Sequence, residues 1–169
     1  MKKKAKSNRK AYVHYGCEEF DYENLANSDK KPILKTKPNG LWASPLYCGT
    51  SWKEWCEREQ FHTERLKKSF RFRLKKNAKV LHLYTLDDAA EYYVVKKEPS
   101  LSDRNYYYME HSLDIEKIYA HFDAMEVHMS NDRARFHNNS VFNYYDVDSI
   151  CIWNPDIVVP LPRKESTSC

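Results

Sequence analysis

Three side chains stand out because their neighbours would leave them beside open space. His14 lies in YVHYG, sharing a strand face with Tyr12 and Gly16, so its imidazole is set beside bare backbone and can exchange hydrogen bonds. Trp42 lies in GLWAS, where the small residues Ala43 and Ser44 leave room beside the indole for a planar guest. Glu126 lies in DAMEVHM, where Met125, Val127 and Met129 face one way and Ala124, Glu126 and His128 the other. Glutamate is depleted in strands, and here it interrupts an apolar segment, which points to a task for its charge. Each has an ordinary reading as well: a satisfied strand histidine, a core tryptophan, an exposed strand glutamate.

These residues need elements to hold them. Ala11–Cys17 reads as a strand ending near Gly16, and polar residues 18–37 as a loop with one helical turn. Pro38-Asn39-Gly40 is turn chemistry, followed by a strand over Leu41–Ser44 that Pro45 stops. Ser51-Trp52-Lys53-Glu54 is a capping box and predicts a helix from Trp52 to Glu59. Phe70–Leu74 and Val80–Thr85 read as strands, and residues 87–95 as a helix passing into a strand. A tyrosine-rich loop around Asn105–Tyr108 precedes Ile115, Ile118, Tyr119 and Phe122, which line one helical face. Strands over Ser149–Trp153 and Ile157–Leu161 flank a turn at Asn154-Pro155-Asp156. Short strands separated by a few helices predict an α+β domain with a mostly antiparallel, twisted sheet. One domain over 11–162 is expected between a basic tail, 1–10, and a polar tail, 163–169.

Composition narrows the chemistry. With 169 residues, 41% hydrophobic and 14% aromatic, the chain can bury one core. No apolar run approaches the roughly 20 residues of a membrane span, and the basic start lacks an apolar h-region, so a soluble, cytoplasmic protein is expected. Cys17, Cys48, Cys56, Cys151 and Cys169 contain no CxxC pair and read as reduced thiols. Asp87-Asp88 and Asp146-Val147-Asp148 lack a glycine-bearing loop, so no metal site is expected. Gly16, Gly40 and Gly49, the three glycines, cannot build a GxGxxG or GxxxxGK[ST] phosphate loop. The net charge of +4 comes mainly from the first ten residues, and a second basic cluster runs through Lys67, Lys68, Arg71, Arg73, Lys75 and Lys76. Such clusters are either solvated faces or phosphate-binding surfaces.

In order, the motifs are a strand with His14-Tyr15-Gly16, then Gly40-Leu41-Trp42-Ala43-Ser44 before a capped helix, then Glu126 on a late strand. This series resembles the ADP-ribosyltransferase superfamily, in the branch with a histidine, an aromatic residue and a glutamate. The resemblance spans roughly residues 11–161 and implies a split, two-layer, mostly antiparallel sheet flanked by short helices, with NAD in its cleft. It implies that Gly16 backbone groups, next to Tyr15, pair with the nicotinamide carboxamide, and that His14 bonds a ribose hydroxyl. Trp42 would stack on nicotinamide, with Gly40, Leu41 and Ala43 forming the strand beside it and Ser44 near the ribose. Trp52 closes this set, although with Trp55 its first task is to pack the helix. Glu126 would hold the ribose 2′-hydroxyl and, with His14, act in catalysis. Cleaving the nicotinamide–ribose bond develops positive charge on the sugar, which a fixed carboxylate in a dry cleft stabilises. Ala124 stands where arginine-modifying members carry Glu or Gln, so arginine is not the expected target, and His128 is a candidate acceptor contact. The implied activity is transfer of ADP-ribose from NAD to a macromolecule, protein or nucleic acid, in keeping with a bacterial or phage toxin or anti-host factor. The alternative is a non-catalytic nucleic-acid-binding module using the basic tail and the Lys67–Lys76 cluster, with tyrosines stacking on bases.

Overall fold

Alternation of apolar and polar residues builds the strand Ser69–Leu74, where Phe70 and Phe72 are buried and Arg71 and Arg73 exposed. The computed structural model describes residues 10–31, 37–46, 51–95, 111–139, 141–142 and 144–162. Nine strands are seen among them: β1 (Ala11–Tyr15), β2 (Leu41–Pro45), β3 (Ser69–Leu74), β4 (Val80–Leu83), β5 (Tyr93–Val95), β6 (His111–Leu113), β7 (Ala124–Val127), β8 (Ser149–Ile152) and β9 (Val158–Pro160). Four α-helices accompany them: α1 (Tyr22–Ala26), α2 (Trp52–Glu59), α3 (Ile115–His121) and α4 (Arg133–His137).

Seven strands form one mixed sheet in the order β4-β7-β8-β2-β1-β3-β9, and β5 with β6 makes a separate ribbon. The α+β class holds. Every pairing is antiparallel except β4 with β7, whose parallel arrangement requires the long crossover between them. The expected two-layer split sheet is instead one continuous sheet with a local split. β1 follows β3 over its whole length, from Ala11 to Tyr15, but meets β2 only at Tyr12↔Pro45 and Val13↔Ser44. β2 then runs along β8 from Leu41 to Ala43. Beyond Val13 and Ser44, therefore, β1 and β2 part.

Each sheet face carries its own core. One contains Leu81, Leu83, Met125, Val127 and Cys151, covered by Ile115 and Ile118 of α3 and Phe136 of α4. The other contains Tyr12, Phe72, Ala124, Ile150 and Ile152, covered by Leu25 of α1. Burying each such side chain is worth about 1.5–3 kcal/mol. The capping box of α2 is formed as its sequence predicts, with Ser51 Oγ accepting from the Glu54 N–H and Glu54 accepting from the Ser51 N–H. Residues 87–95 become a 3-10 turn over Leu86–Tyr92 that leads into β5. The short helix α4 and the 3-10 turn at Thr63–Lys67 were not expected. The tyrosine-rich stretch Asn105–Tyr108 and both tails, apart from Lys10, lie outside the described residues. Among the described residues, no helix is long and apolar enough to cross a membrane.

Candidate functional site

Where β1 and β2 part, the Trp42 carbonyl loses the strand partner it would otherwise have. The His14 side chain takes that place: Nδ1–H donates to Trp42 O over 2.6 Å. A carbonyl can only accept, so Nδ1 carries the proton and, in the neutral ring, Nε2 is left as an acceptor. Burial favours the neutral ring and holds the His14 imidazole below its ordinary pKa, while the hydrogen bond to the Trp42 carbonyl pulls the other way.

A cavity of about 620 Å³ opens at this split. Its lining includes His14, Tyr15, Trp42, Ala43, Ser44 and Trp52, six of the nine residues expected to contact NAD. Tyr144, Tyr145, Phe61, Arg65, Lys37, Asp146 and Ser149 join them; of these the sequence drew attention only to Asp146, and there as a metal ligand to be set aside, not as part of this cavity. Lys37 places its ammonium 5.3 Å from the Trp42 ring centre and 5.1 Å from that of Tyr145, a cation held by two aromatic faces. Burial lowers the Lys37 pKa, and the Asp146 carboxylate opposes that shift. Ser44 Oγ accepts from the Trp52 N–H over 3.1 Å, tying the start of α2 to β2. That contact gives Ser44 a bracing task besides the ribose contact expected of it.

The three glycine-motif expectations land elsewhere. Gly40 and Leu41 line a second cavity, which His14 also borders, with Phe20, Leu25 and Phe70. Gly40 has φ +158, and a Cβ there would collide with the Ile152 carbonyl oxygen, so the glycine serves the close approach of β2 to β8. Gly16 has φ +115 and directs its N–H to Lys68 O over 2.9 Å, which secures the end of β1.

Glu126 does not meet Trp42 in one gap, although the strand pairings put His14, with Tyr12, on the same sheet face as Glu126. Cross-strand partners share a sheet face. Trp42 pairs with Cys151, and Cys151 with Met125, whereas Glu126 pairs with Ile150 and His82, and Ile150 with Ala43. The Trp42 and Glu126 side chains are therefore on opposite faces, and Glu126 is not in the lining of the 620 Å³ cavity. It is not an exposed strand glutamate either, since its side chain is 0% exposed. Its Oε2 accepts from Tyr12 O–H over 3.2 Å and lies 3.0 Å from His82 Nδ1, 3.6 Å from His128 Nε2 and 3.9 Å from Lys10 Nζ. Burial first, and then the Glu126 charge, push the Tyr12 phenol far above its ordinary pKa, so it stays a donor. Burial also lowers the His128 pKa, opposed by the Glu126 charge.

His82 was missed in the sequence, although it interrupts Leu81 and Leu83 in β4 much as Glu126 interrupts Met125 and Val127. The cluster residues Lys67, Lys68, Arg71, Arg73, Lys75 and Lys76 are all exposed. Comparison with family models, curated proteins and solved structures returns no match.

Proposed function

We propose that the cavity at the β1–β2 split binds NAD and that the protein transfers ADP-ribose from it to a macromolecular acceptor, protein or nucleic acid. The observation that carries this reading is the cavity itself, a space of about 620 Å³ lined by His14, Trp42, Ser44 and Trp52. That volume lies within the roughly 300–1,000 Å³ of ordinary ligand sites. The oxidised nicotinamide ring is a cation, and the Trp42–Tyr145 pair already holds a cation in the Lys37 ammonium. Displacing Lys37 from these faces lets the ring take its place and leaves an ammonium for the pyrophosphate, beside Arg65. Neutral His14 offers Nε2 to a ribose hydroxyl.

Carboxylate chemistry in this cavity falls to Asp146, which lines it, and not to Glu126. As the nicotinamide–ribose bond breaks, nicotinamide leaves with the bonding pair and the sugar carbon becomes electron-poor. Asp146 stabilises that charge until an acceptor nucleophile forms the new bond and gives up its proton.

The test follows nicotinamide release and Trp fluorescence with NAD for the parent, Asp146→Asn and Glu126→Gln. Loss of about 10²–10³-fold in turnover is expected for Asp146→Asn, with NAD still quenching fluorescence. If Asp146→Asn turns over normally while Glu126→Gln abolishes release, the cavity assignment is wrong. If NAD produces neither quenching nor release in the parent, the whole reading falls.

A further inference from the structure

On the sheet face away from Trp42, two imidazoles and a carboxylate converge. His82 Nδ1, Glu126 Oε2 and His128 Nε2 form a triangle with edges of 3.0, 3.6 and 3.4 Å. Around a tetrahedral Zn²⁺, bonds of about 2.0–2.1 Å place neighbouring ligand atoms about 3.3 Å apart, and an octahedral site brings them to about 3.0 Å. The three edges straddle the tetrahedral value. We propose that His82, Glu126 and His128 bind one divalent cation of the Zn²⁺ class.

The surroundings fit a site made in advance of its ion. Glu126 is fully buried and His128 nearly so, with side chains 0% and 5% exposed, so their orientation is fixed by packing. The Tyr84 ring stacks on His128 at 4.0 Å and 14°, and lies near-parallel to His82 at 5.7 Å and 17°, which holds both imidazole planes. Tyr12 donates to Glu126 Oε2, as outer-shell donors do for ligating carboxylates. Asp148 accepts from the N–H and the hydroxyl of Ser130, pinning the turn just after His128. Two imidazole nitrogens that face each other across 3.4 Å have room for one proton between them. A dication satisfies both lone pairs and the carboxylate at once.

Lys10 supplies the competing charge. Its ammonium is 3.9 Å from the same Glu126 oxygen, but its side chain is 43% exposed and can swing to solvent. A cavity of about 230 Å³ lined by Lys10, Tyr12, Lys75, Lys76 and His82 gives the ion a route in, and its basic rim suits water or an anion as the fourth ligand. This site is separate from the NAD cavity, and its test does not depend on turnover.

The experiment strips the full chain with a chelator, dialyses it, and titrates it with Co²⁺ and then Zn²⁺, reading visible absorption and heat. One equivalent of Co²⁺ is expected, with the intense visible bands of a four-coordinate site that Zn²⁺ then removes. His82→Ala, at a partly exposed position, and Glu126→Gln should each weaken binding by more than about 10-fold, with circular dichroism confirming the fold. Lys10→Ala should tighten it, and His121→Ala or His137→Ala, at exposed positions on α3 and α4, should change nothing. Absence of stoichiometric binding overturns the proposal. So does a His82→Ala variant that binds like the parent, or binding that is lost with His121 or His137.

Discussion

Replacing His14 by alanine tests the split on which the cavity depends. The variant removes the donor to Trp42 O and leaves that carbonyl facing a partly buried gap between β1 and β2. A net hydrogen bond is worth about 0.5–1.5 kcal/mol, and a carbonyl stranded away from water costs about 1–3 kcal/mol. His14 also packs its ring on Phe70, 5.3 Å between centres, so lost contact adds to the same sign. A destabilisation of about 1–3 kcal/mol should lower Tm by about 2–4 °C per kcal/mol at this chain length. Thermal unfolding at neutral pH measures it, and repeating the series at lower pH separates the charge effect. The pKa of His14 is lowered by burial in the folded state, so the unfolded chain binds more protons in the window below about 6.5. The His14 contribution is thus intact above that value, is lost progressively as pH falls towards the lowered folded pKa, and stays lost below it. His14→Asn, which keeps a donor in reach, should regain part of the neutral-pH stability and lack this share of the acid slope. An alanine variant that melts within about a degree of the parent, with an unchanged slope, would show that the imidazole does not hold the split.

Two further substitutions probe the frame of the cavity. Gly40→Ala should destabilise the chain by about 1–3 kcal/mol or more, read as a lower denaturant midpoint, because its φ of +158 and the Ile152 carbonyl leave no place for a methyl group. Ser51→Ala should cost about 1 kcal/mol by removing the cap of α2, and should weaken nucleotide binding in a fluorescence titration because α2 carries Trp52 into the cavity wall.

Local signals announced local structure. The capping box delivered α2 over Trp52–Glu59, and period-two alternation delivered β3 and β7 within a residue or two. The division of residues 124–129 into two faces was also legible, since it needs only the pleat. What the sequence could not specify was parity across the sheet. Whether Glu126 shares a face with Trp42 depends on the register of β8 against both β7 and β2, and the β2–β8 pairing is set by packing between residues more than a hundred positions apart. A slip of one residue in either pairing would have put both side chains on one side. His82 escaped for a related reason. Its partner Glu126 lies across a parallel pairing, and only the β4–β7 register makes them neighbours.

Parity also divides the charges. On the Trp42 face, Lys37 and Arg65 outnumber the Asp146 carboxylate, an arrangement that suits a ligand with a pyrophosphate and a cationic ring. Across the sheet, Glu126 is surrounded by Lys10, two imidazoles and a phenol, all directed at one oxygen. A carboxylate so enclosed cannot also reach a sugar on the far side of β2 and β8, because the side chains that fix it would have to be broken away first. Burying it without those partners would cost several kcal/mol. The same enclosure that keeps Glu126 out of the 620 Å³ cavity sets it among the imidazoles proposed to bind a metal, and a substitution at Asp146 should leave the cobalt spectrum untouched while one at His82 removes it.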